Sequence, residues 1–135
     1  MISGGNATVF VSDMDRAIDF YTETLGLKLT NRFGNNWATV QAGATLTIGL
    51  HPASPKYPAP RTKGSMILAL EIDEPIAVAI ARLSEKGVRF GPVVRDEPGA
   101  FVHFEDPDGN NILFWEVNRE AIRDTQLAGV GVAQP

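Results

Sequence analysis

The chain begins with the pattern of a strand followed by an amphipathic helix. Thr8–Val11 is an apolar run that predicts a strand, and Asp13 follows it, where a carboxylate can cap the first turn of a helix. Gly26 can take the left-handed conformation that ends a helix. Between these two residues, apolar side chains recur at helical spacing: Met14, Ala17, Ile18, Tyr21 and Leu25.

The same pattern returns in the second half of the chain. Ile67–Ile72 predicts a strand, Asp73 follows it, and Pro75 suits the early turn of a helix. The apolar positions of that helix are Ile76, Ile80 and Leu83, and Gly87 closes it. Asp13 and Asp73 lie 60 positions apart in the numbering, so the pattern indicates an internal duplication.

Three strands are predicted after each helix, with Gly, Asn and Pro in the turns between them. In the first unit they are Leu27–Phe33, Trp37–Gln41 and Thr45–Leu50; in the second they are Val88–Arg95, Phe101–Glu105 and Ile112–Val117. The order βαβββ therefore occurs twice, which predicts an α+β fold. At 135 residues the chain has the length of one domain.

This domain divides into four predicted segments. Residues 6–50 form the first module and residues 65–117 the second, with a proline-rich linker over 51–64 that is extended or serves as a flap. Residues 118–135 are expected to form a short helix and a tail.

Composition narrows the classes of partner and compartment. The chain has no cysteine, so disulfides, thiolate metal sites and cysteine nucleophiles are excluded, and the cytoplasm is the expected location. Its net charge is −4 and its basic residues are scattered, which argues against nucleic acid as a partner. No apolar run approaches the roughly 20 residues that a membrane span needs.

Two longer motifs resemble those of a known superfamily. Val11 to Tyr21 (VSDMDRAIDFY) with Leu25-Gly26-Leu27 resembles the opening signature of vicinal-oxygen-chelate proteins, which include glyoxalases, bleomycin-resistance proteins and extradiol dioxygenases. Phe104 to Asn110 (FEDPDGN) resembles their closing hairpin. The resemblance covers about residues 6–117. It implies two curled mixed sheets, each with one helix on its convex face, around a cavity, and it implies a homodimer.

The resemblance also implies where a divalent metal would be held in the enzymes of this superfamily. The four family positions fall on Asn6, Gly49, Ile67 and Leu113. Gly, Ile and Leu have no side-chain donor, and Asn is a weak donor for a transition metal. We therefore expect no metal and no other cofactor, as in the bleomycin-resistance branch; the alternative is a divalent metal at a non-standard site.

Strand alternation predicts which other side chains line the cavity. If Asn6 and Leu113 point inward, the remaining ligand-binding candidates are Thr8, Phe10, Thr47, His51, Ile67, Phe101, His103 and Trp115. Trp37 and Trp115 could stack on a flat ligand, or could fill sheet surface or a dimer contact.

Acid–base or displaced-metal chemistry has four candidates, although no catalytic residue is assigned: His51, His103, Glu71 and Glu105. In the plainer interpretation, His51 ends a strand and enters the linker, and His103 is an exposed strand residue. Three hypotheses stay open. The chain binds a small, partly aromatic organic molecule without metal; it is a metal-dependent lyase, isomerase or dioxygenase with relocated ligands; or it is a non-catalytic interaction domain.

Overall fold

The computed structural model describes residues 1, 5–55, 66–96, 99–118 and 120. Within these residues, eight strands and two α-helices follow one another in the order predicted from the sequence. They are β1 (Ala7–Val11), α1 (Met14–Asp19), β2 (Lys28–Phe33), β3 (Trp37–Ala42), β4 (Leu46–Pro52), β5 (Leu68–Ile72), α2 (Ile76–Ser84), β6 (Val94–Asp96), β7 (Gly99–Glu105) and β8 (Asn111–Val117). A π-helical turn, Phe20–Thr24, extends α1.

The strands form two open four-stranded sheets with the same topology. The first sheet has the order β1-β4-β3-β2 and the second has the order β5-β8-β7-β6. In each sheet the strand before the helix pairs in parallel with the last strand, and the remaining pairs are antiparallel. The predicted α+β fold with two βαβββ modules is confirmed.

The first helix begins and ends where its sequence predicts. Asp13 Oδ1 accepts a hydrogen bond from Arg16 N at 3.0 Å, which caps the first turn. The helix widens into the π-helical turn, where Leu25 N donates to Phe20 O at 3.0 Å. Gly26, with φ of 78°, then ends it.

The second helix begins differently from the prediction. Asp73 is exposed and the helix starts at Ile76, after Pro75, which provides no side-chain cap. Instead, Glu116 Oε1 accepts from Ile76 N at 2.7 Å. The cap thus comes from the neighbouring strand β8, where Glu116 is in register with Ile72, and no local pattern around residue 73 reveals it. Gly87, with φ of 89°, ends the helix as predicted.

One predicted strand is much shorter than expected. The pattern from Val88 to Arg95 predicts a continuous strand, but among the described residues only Val94–Asp96 forms a strand beside β7. Upstream of it, Phe90 forms an isolated bridge to Phe104. Pro92 lies between the two paired stretches and has no N–H to donate, which accounts for the interruption.

Each helix covers one face of its sheet, and the buried side chains of both modules join in one hydrophobic core. In the first sheet Val9, Val40 and Ile48 are 1% exposed or less, and Val102 and Ile112 are fully buried in the second. We call the opposite face of each sheet its open face. Apolar burial of this kind contributes roughly 25 cal/mol per Å² and is the main favourable term in folding.

The β7–β8 hairpin of the second module is bonded to the first module. Asp106 is 5% exposed and accepts from Tyr21 Oη at 3.0 Å and from Asn110 Nδ2 at 2.8 Å. Its other oxygen accepts from the backbone N–H groups of Asp108 and Asn110 at 2.9 and 2.8 Å. Asn110 Nδ2 also donates to Phe10 O at 3.1 Å. The two modules are therefore joined within one chain.

Burial sets the electrostatics of this junction. Desolvation raises the pKa of the Tyr21 hydroxyl well above its usual value, and the neighbouring Asp106 carboxylate adds to the rise. Desolvation also raises the pKa of Asp106, while the hydrogen bonds from Asn110 and Tyr21 oppose part of the increase. At neutral pH the Tyr21 hydroxyl therefore keeps its proton and donates a hydrogen bond to Asp106.

A second polar contact joins the same hairpin to the start of α1. Asp108 accepts from the hydroxyl of Ser12 and, at 3.2 Å, from its backbone N–H. Arg16 Nη2 lies 3.3 Å from Asp108 Oδ1. Asp13 thus caps a helix as predicted, and Asp106 and Asp108 hold the hairpin turn and its contacts with α1.

Two predicted segments lie mostly outside the described residues. Of the linker over 51–64, residues 51 and 52 belong to β4 and the described part ends at residue 55; of the segment 118–135, only residues 118 and 120 are described. Within the described part of the chain, neither helix is long and apolar enough to cross a membrane.

Candidate functional site

The open face of each sheet carries the residues that strand alternation assigns to it. In the first sheet, Thr8 pairs laterally with Gly49 and Phe10 with His51. Thr47 lies on the same face of β4, where its hydroxyl donates to Gln41 Oε1 at 2.7 Å. These side chains are half-buried, whereas Val9, Ile48 and Leu50 on the other face of the same strands are buried in the core. Their part in ligand binding stays a prediction.

An aromatic row crosses the open face of the first sheet. The ring centroid of His51 lies 5.6 Å from that of Phe10 and 6.2 Å from that of Trp37, both in edge-on arrangements. His51 Nδ1 lies 2.8 Å from Pro52 O, and because a carbonyl oxygen can only accept, Nδ1 is the donor.

Trp37 lies across β4 at Gly49. A Cβ atom built on Gly49 would lie 2.9 Å from Cζ2 and 3.0 Å from Cζ3 of the Trp37 indole, and closer still to Cη2. Real Cβ atoms do not approach other carbon atoms so closely, so only glycine fits beneath the ring. This also explains why Gly49 is buried although it lies on the open face.

A stacked aromatic pair occupies the corresponding place in the second sheet. Phe101 and Trp115 are lateral neighbours on β7 and β8, with ring centroids 5.9 Å apart and ring planes within 5° of parallel. The indole Nε1 of Trp115 is enclosed and has no hydrogen-bond partner among the described residues. An enclosed N–H without an acceptor costs about 1–3 kcal/mol of stability.

The remaining polar candidates of the second sheet lie on strands β5 and β7. Glu71 is in register with Trp115 across β5 and β8, and His103 is in register with Leu113 across β7 and β8. His103 Nδ1 lies 3.1 Å from Asn111 Oδ1. Glu105, at the end of β7, is exposed and in register with Asn111.

Side-chain contacts at the four family metal positions do not fit a metal site. Asn6 Oδ1 accepts from Thr8 Oγ1 at 2.9 Å, and Ile67 is 51% exposed with an apolar side chain. Leu113 has no donor atom, and the space at Gly49 is filled by Trp37. Among the described residues, no three His, Asp or Glu side chains are grouped closely enough to hold a metal ion. The four acid–base candidates are therefore not gathered into a ligand set by this part of the chain.

Sequence reasoning missed two features of this region. It left Trp37 open between stacking on a flat ligand and filling sheet surface or a dimer contact, and it did not foresee that the indole lies over Gly49. A glycine at a family metal position, with a tryptophan on the neighbouring strand, is the signal that would have indicated this. The buried pair of Tyr21 and Asp106 joins positions that are far apart in sequence, and nothing local marks their contact.

Comparison with known proteins gives consistent results for family and fold. The family model described as Glyoxalase/Bleomycin resistance protein/Dioxygenase superfamily matches residues 5–114. Among curated proteins, none matches the sequence.

Several solved structures are similar over most of their length. TnmS3, an antibiotic binding protein from Streptomyces sp. CB03234, is 32% identical, with 87% of this chain and 98% of that chain covered and a TM-score of 0.72. A glyoxalase/bleomycin resistance protein from the same organism is 33% identical, with 84% and 100% covered and a TM-score of 0.68. A superfamily member from Sphaerobacter thermophilus DSM 20745 is 30% identical, with 86% and 98% covered and a TM-score of 0.68.

Proposed function

Because the chain belongs to the Glyoxalase/Bleomycin resistance protein/Dioxygenase superfamily, we propose that it binds a small, partly aromatic organic molecule between its two βαβββ modules, without a divalent metal. The observation that carries this proposal is that the open faces of the sheets carry aromatic side chains where the superfamily's enzymes have metal donors. Aromatic rings stand on both sheets, and one of them covers a family metal position. Apolar walls with a few polar groups are typical of small-molecule sites.

The similarity to TnmS3 supports the same proposal. That protein is described as antibiotic binding, and it shares nearly a third of its residues with this chain over most of both chains. Binding and sequestration need no catalytic group, which agrees with the lack of a gathered acid–base or metal-ligating cluster among the described residues. The proposal includes a cytoplasmic location, which cell fractionation would test.

A thermal-shift experiment with planar and globular compounds tests the proposed binding. We expect 9-aminoacridine and 2-naphthol, which are flat, to raise the melting temperature, and 1-aminoadamantane, which is cationic like 9-aminoacridine but globular, to leave it unchanged. A ligand at about 100 times its Kd stabilises a protein by about 2.7 kcal/mol, which corresponds to an increase of about 5–10 °C. No shift with either flat compound would support the interaction-domain hypothesis instead.

Metal analysis of untagged protein tests the competing hypothesis of a metal-dependent enzyme. We expect less than one-tenth of an equivalent of nickel, zinc, manganese or iron per chain. Near-stoichiometric metal that is lost in His51→Ala or His103→Ala would reject the metal-free proposal and favour relocated ligands.

We also propose that the protein is a homodimer. Apolar side chains remain exposed on the outer strands of both sheets, with Leu29 at 39%, Phe33 at 61% and Val94 at 52%. Light scattering should give twice the chain mass of 14.6 kDa, and Phe33→Asp should shift the mass towards that of one chain. A wild-type mass of one chain at micromolar concentration would contradict the proposal.

A further inference from the structure

Gly49 and Trp37 together occupy the position from which the superfamily's enzymes supply a metal ligand. The outer edge of the indole, formed by Cζ2, Cη2 and Cζ3, lies where a side chain of residue 49 would stand. We propose that Gly49 determines the specificity of the site, because its missing side chain lets Trp37 form an aromatic subsite for a planar ring at the former metal position. This inference rests on the proposed binding function and names the part of the ligand that is recognised there.

Position 49 cannot hold a metal-donating side chain and the Trp37 indole at the same time. A residue that could donate to a metal from position 49 needs at least a Cβ atom, and that atom would overlap the Trp37 ring. The clash falls on a rigid ring system and not on the end of a flexible chain, so the ring would have to swing away as a whole. The position therefore holds either a donor or the indole, and in this chain it holds the indole.

The neighbours of Trp37 extend the same surface. His51 lies edge-on to the indole and Phe10 lies beyond His51 on β1, so three rings border Gly49 across strands β1, β4 and β3. Aromatic rings favour other rings at centroid distances of about 4.5–7 Å in stacked or edge-on contact. The ligand class that follows is a compound with one to three fused aromatic rings, recognised through its π system without metal chelation.

The first test examines the geometry without any ligand. Gly49→Ala should displace the indole, which should change the near-ultraviolet circular dichroism and lower the melting temperature by about 5 °C or more. Gly91→Ala is the matched control, because a Cβ there would meet only His103 O at an ordinary 3.6 Å. In a Trp37→Ala background the same Gly49→Ala change should have almost no effect, since the clash is gone. Equal effects in both backgrounds would overturn the inference.

The second test measures recognition, with 9-aminoacridine fluorescence as the readout. Gly49→Ala should bind this probe at least tenfold more weakly than the wild type, while Gly91→Ala should stay within twofold. If Gly49→Ala does not fold, Trp37→Ala carries the test, because it creates space and no overlap, and it should also lose at least tenfold. Wild-type affinity in the folded variants would reject the aromatic subsite and leave the proposed function standing. Failure of the wild type to bind any flat probe would reject the proposed function, and the subsite with it.

Discussion

Replacing Asp106 by alanine is expected to lower the free energy of unfolding by about 3 kcal/mol or more, the largest loss we predict for a single polar side chain. The carboxylate is buried and accepts from Tyr21 Oη, from Asn110 Nδ2 and from two backbone N–H groups of its own hairpin. Its removal leaves the buried Tyr21 hydroxyl without an acceptor, and an unsatisfied buried donor costs about 1–3 kcal/mol by itself. It also loosens the hairpin that joins the two modules.

Urea unfolding at pH 7, followed by circular dichroism, measures this effect as a shift in midpoint. Glu105→Ala is a suitable control, because Glu105 is the exposed neighbour of Asp106 in sequence and its loss should stay within about 0.5 kcal/mol. The loss in unfolding free energy of Tyr21→Phe should lie between those of the two alanine variants, because this change removes one donor and leaves the other hydrogen bonds of the carboxylate in place. A loss below about 1 kcal/mol for Asp106→Ala would show that the junction contributes little to stability.

Trp115→Ala is expected to weaken the binding of 9-aminoacridine about 100-fold, equivalent to about 2.7 kcal/mol. The indole is stacked on Phe101 within 5° of parallel and is the larger ring of the pair on the second sheet. Its loss removes contact area that a planar ligand needs and leaves Phe101 without its neighbour. A tryptophan buries 150–250 Å², and an aromatic pair adds about 0.5–1.5 kcal/mol beyond the area it buries.

Two further variants separate the causes of that loss. Trp115→Phe keeps an aromatic ring beside Phe101 and removes only the enclosed Nε1–H and part of the ring area, so it should lose much less affinity than Trp115→Ala. Val78→Ala, on the exposed side of α2, should bind as the wild type does. An unchanged Kd in Trp115→Ala would remove the second sheet from the proposed site.

The fold could be predicted because its signals are local and repeated. Asp13 and the glycines Gly26 and Gly87 mark helix ends through their own conformational preferences, and the structure shows the cap and the positive φ values at these residues. The errors arise where a distant residue decides the outcome. Glu116 caps α2 from β8, a role that no pattern around Asp73 contains. A proline inside an apolar run shortened β6, a consequence of its missing N–H that the prediction overlooked.

The site could be predicted only in part. Period-two alternation correctly places residues such as Phe10 and His51 on one face, because backbone geometry fixes which side chains share a face. It cannot say which side chain leans over which neighbour. The position of Trp37 above Gly49 depends on the pairing of β3 with β4 and on the rotamer of a large ring. The lack of donor side chains at Gly49, Ile67 and Leu113 was visible in the sequence, but the position of the Trp37 ring was not.

The bonds between the modules bear on how the protein can assemble. The 106–110 hairpin contacts three groups of the first module, which are Tyr21, Ser12 and the carbonyl of Phe10. A hairpin from another copy of the chain would contact the same three groups. Exchange of whole modules between two molecules would therefore conserve every one of these contacts and change only the path of the connecting segment. The balance between a closed single chain and an exchanged pair is then set by the entropy of that connection and by protein concentration, and not by the strength of the junction itself.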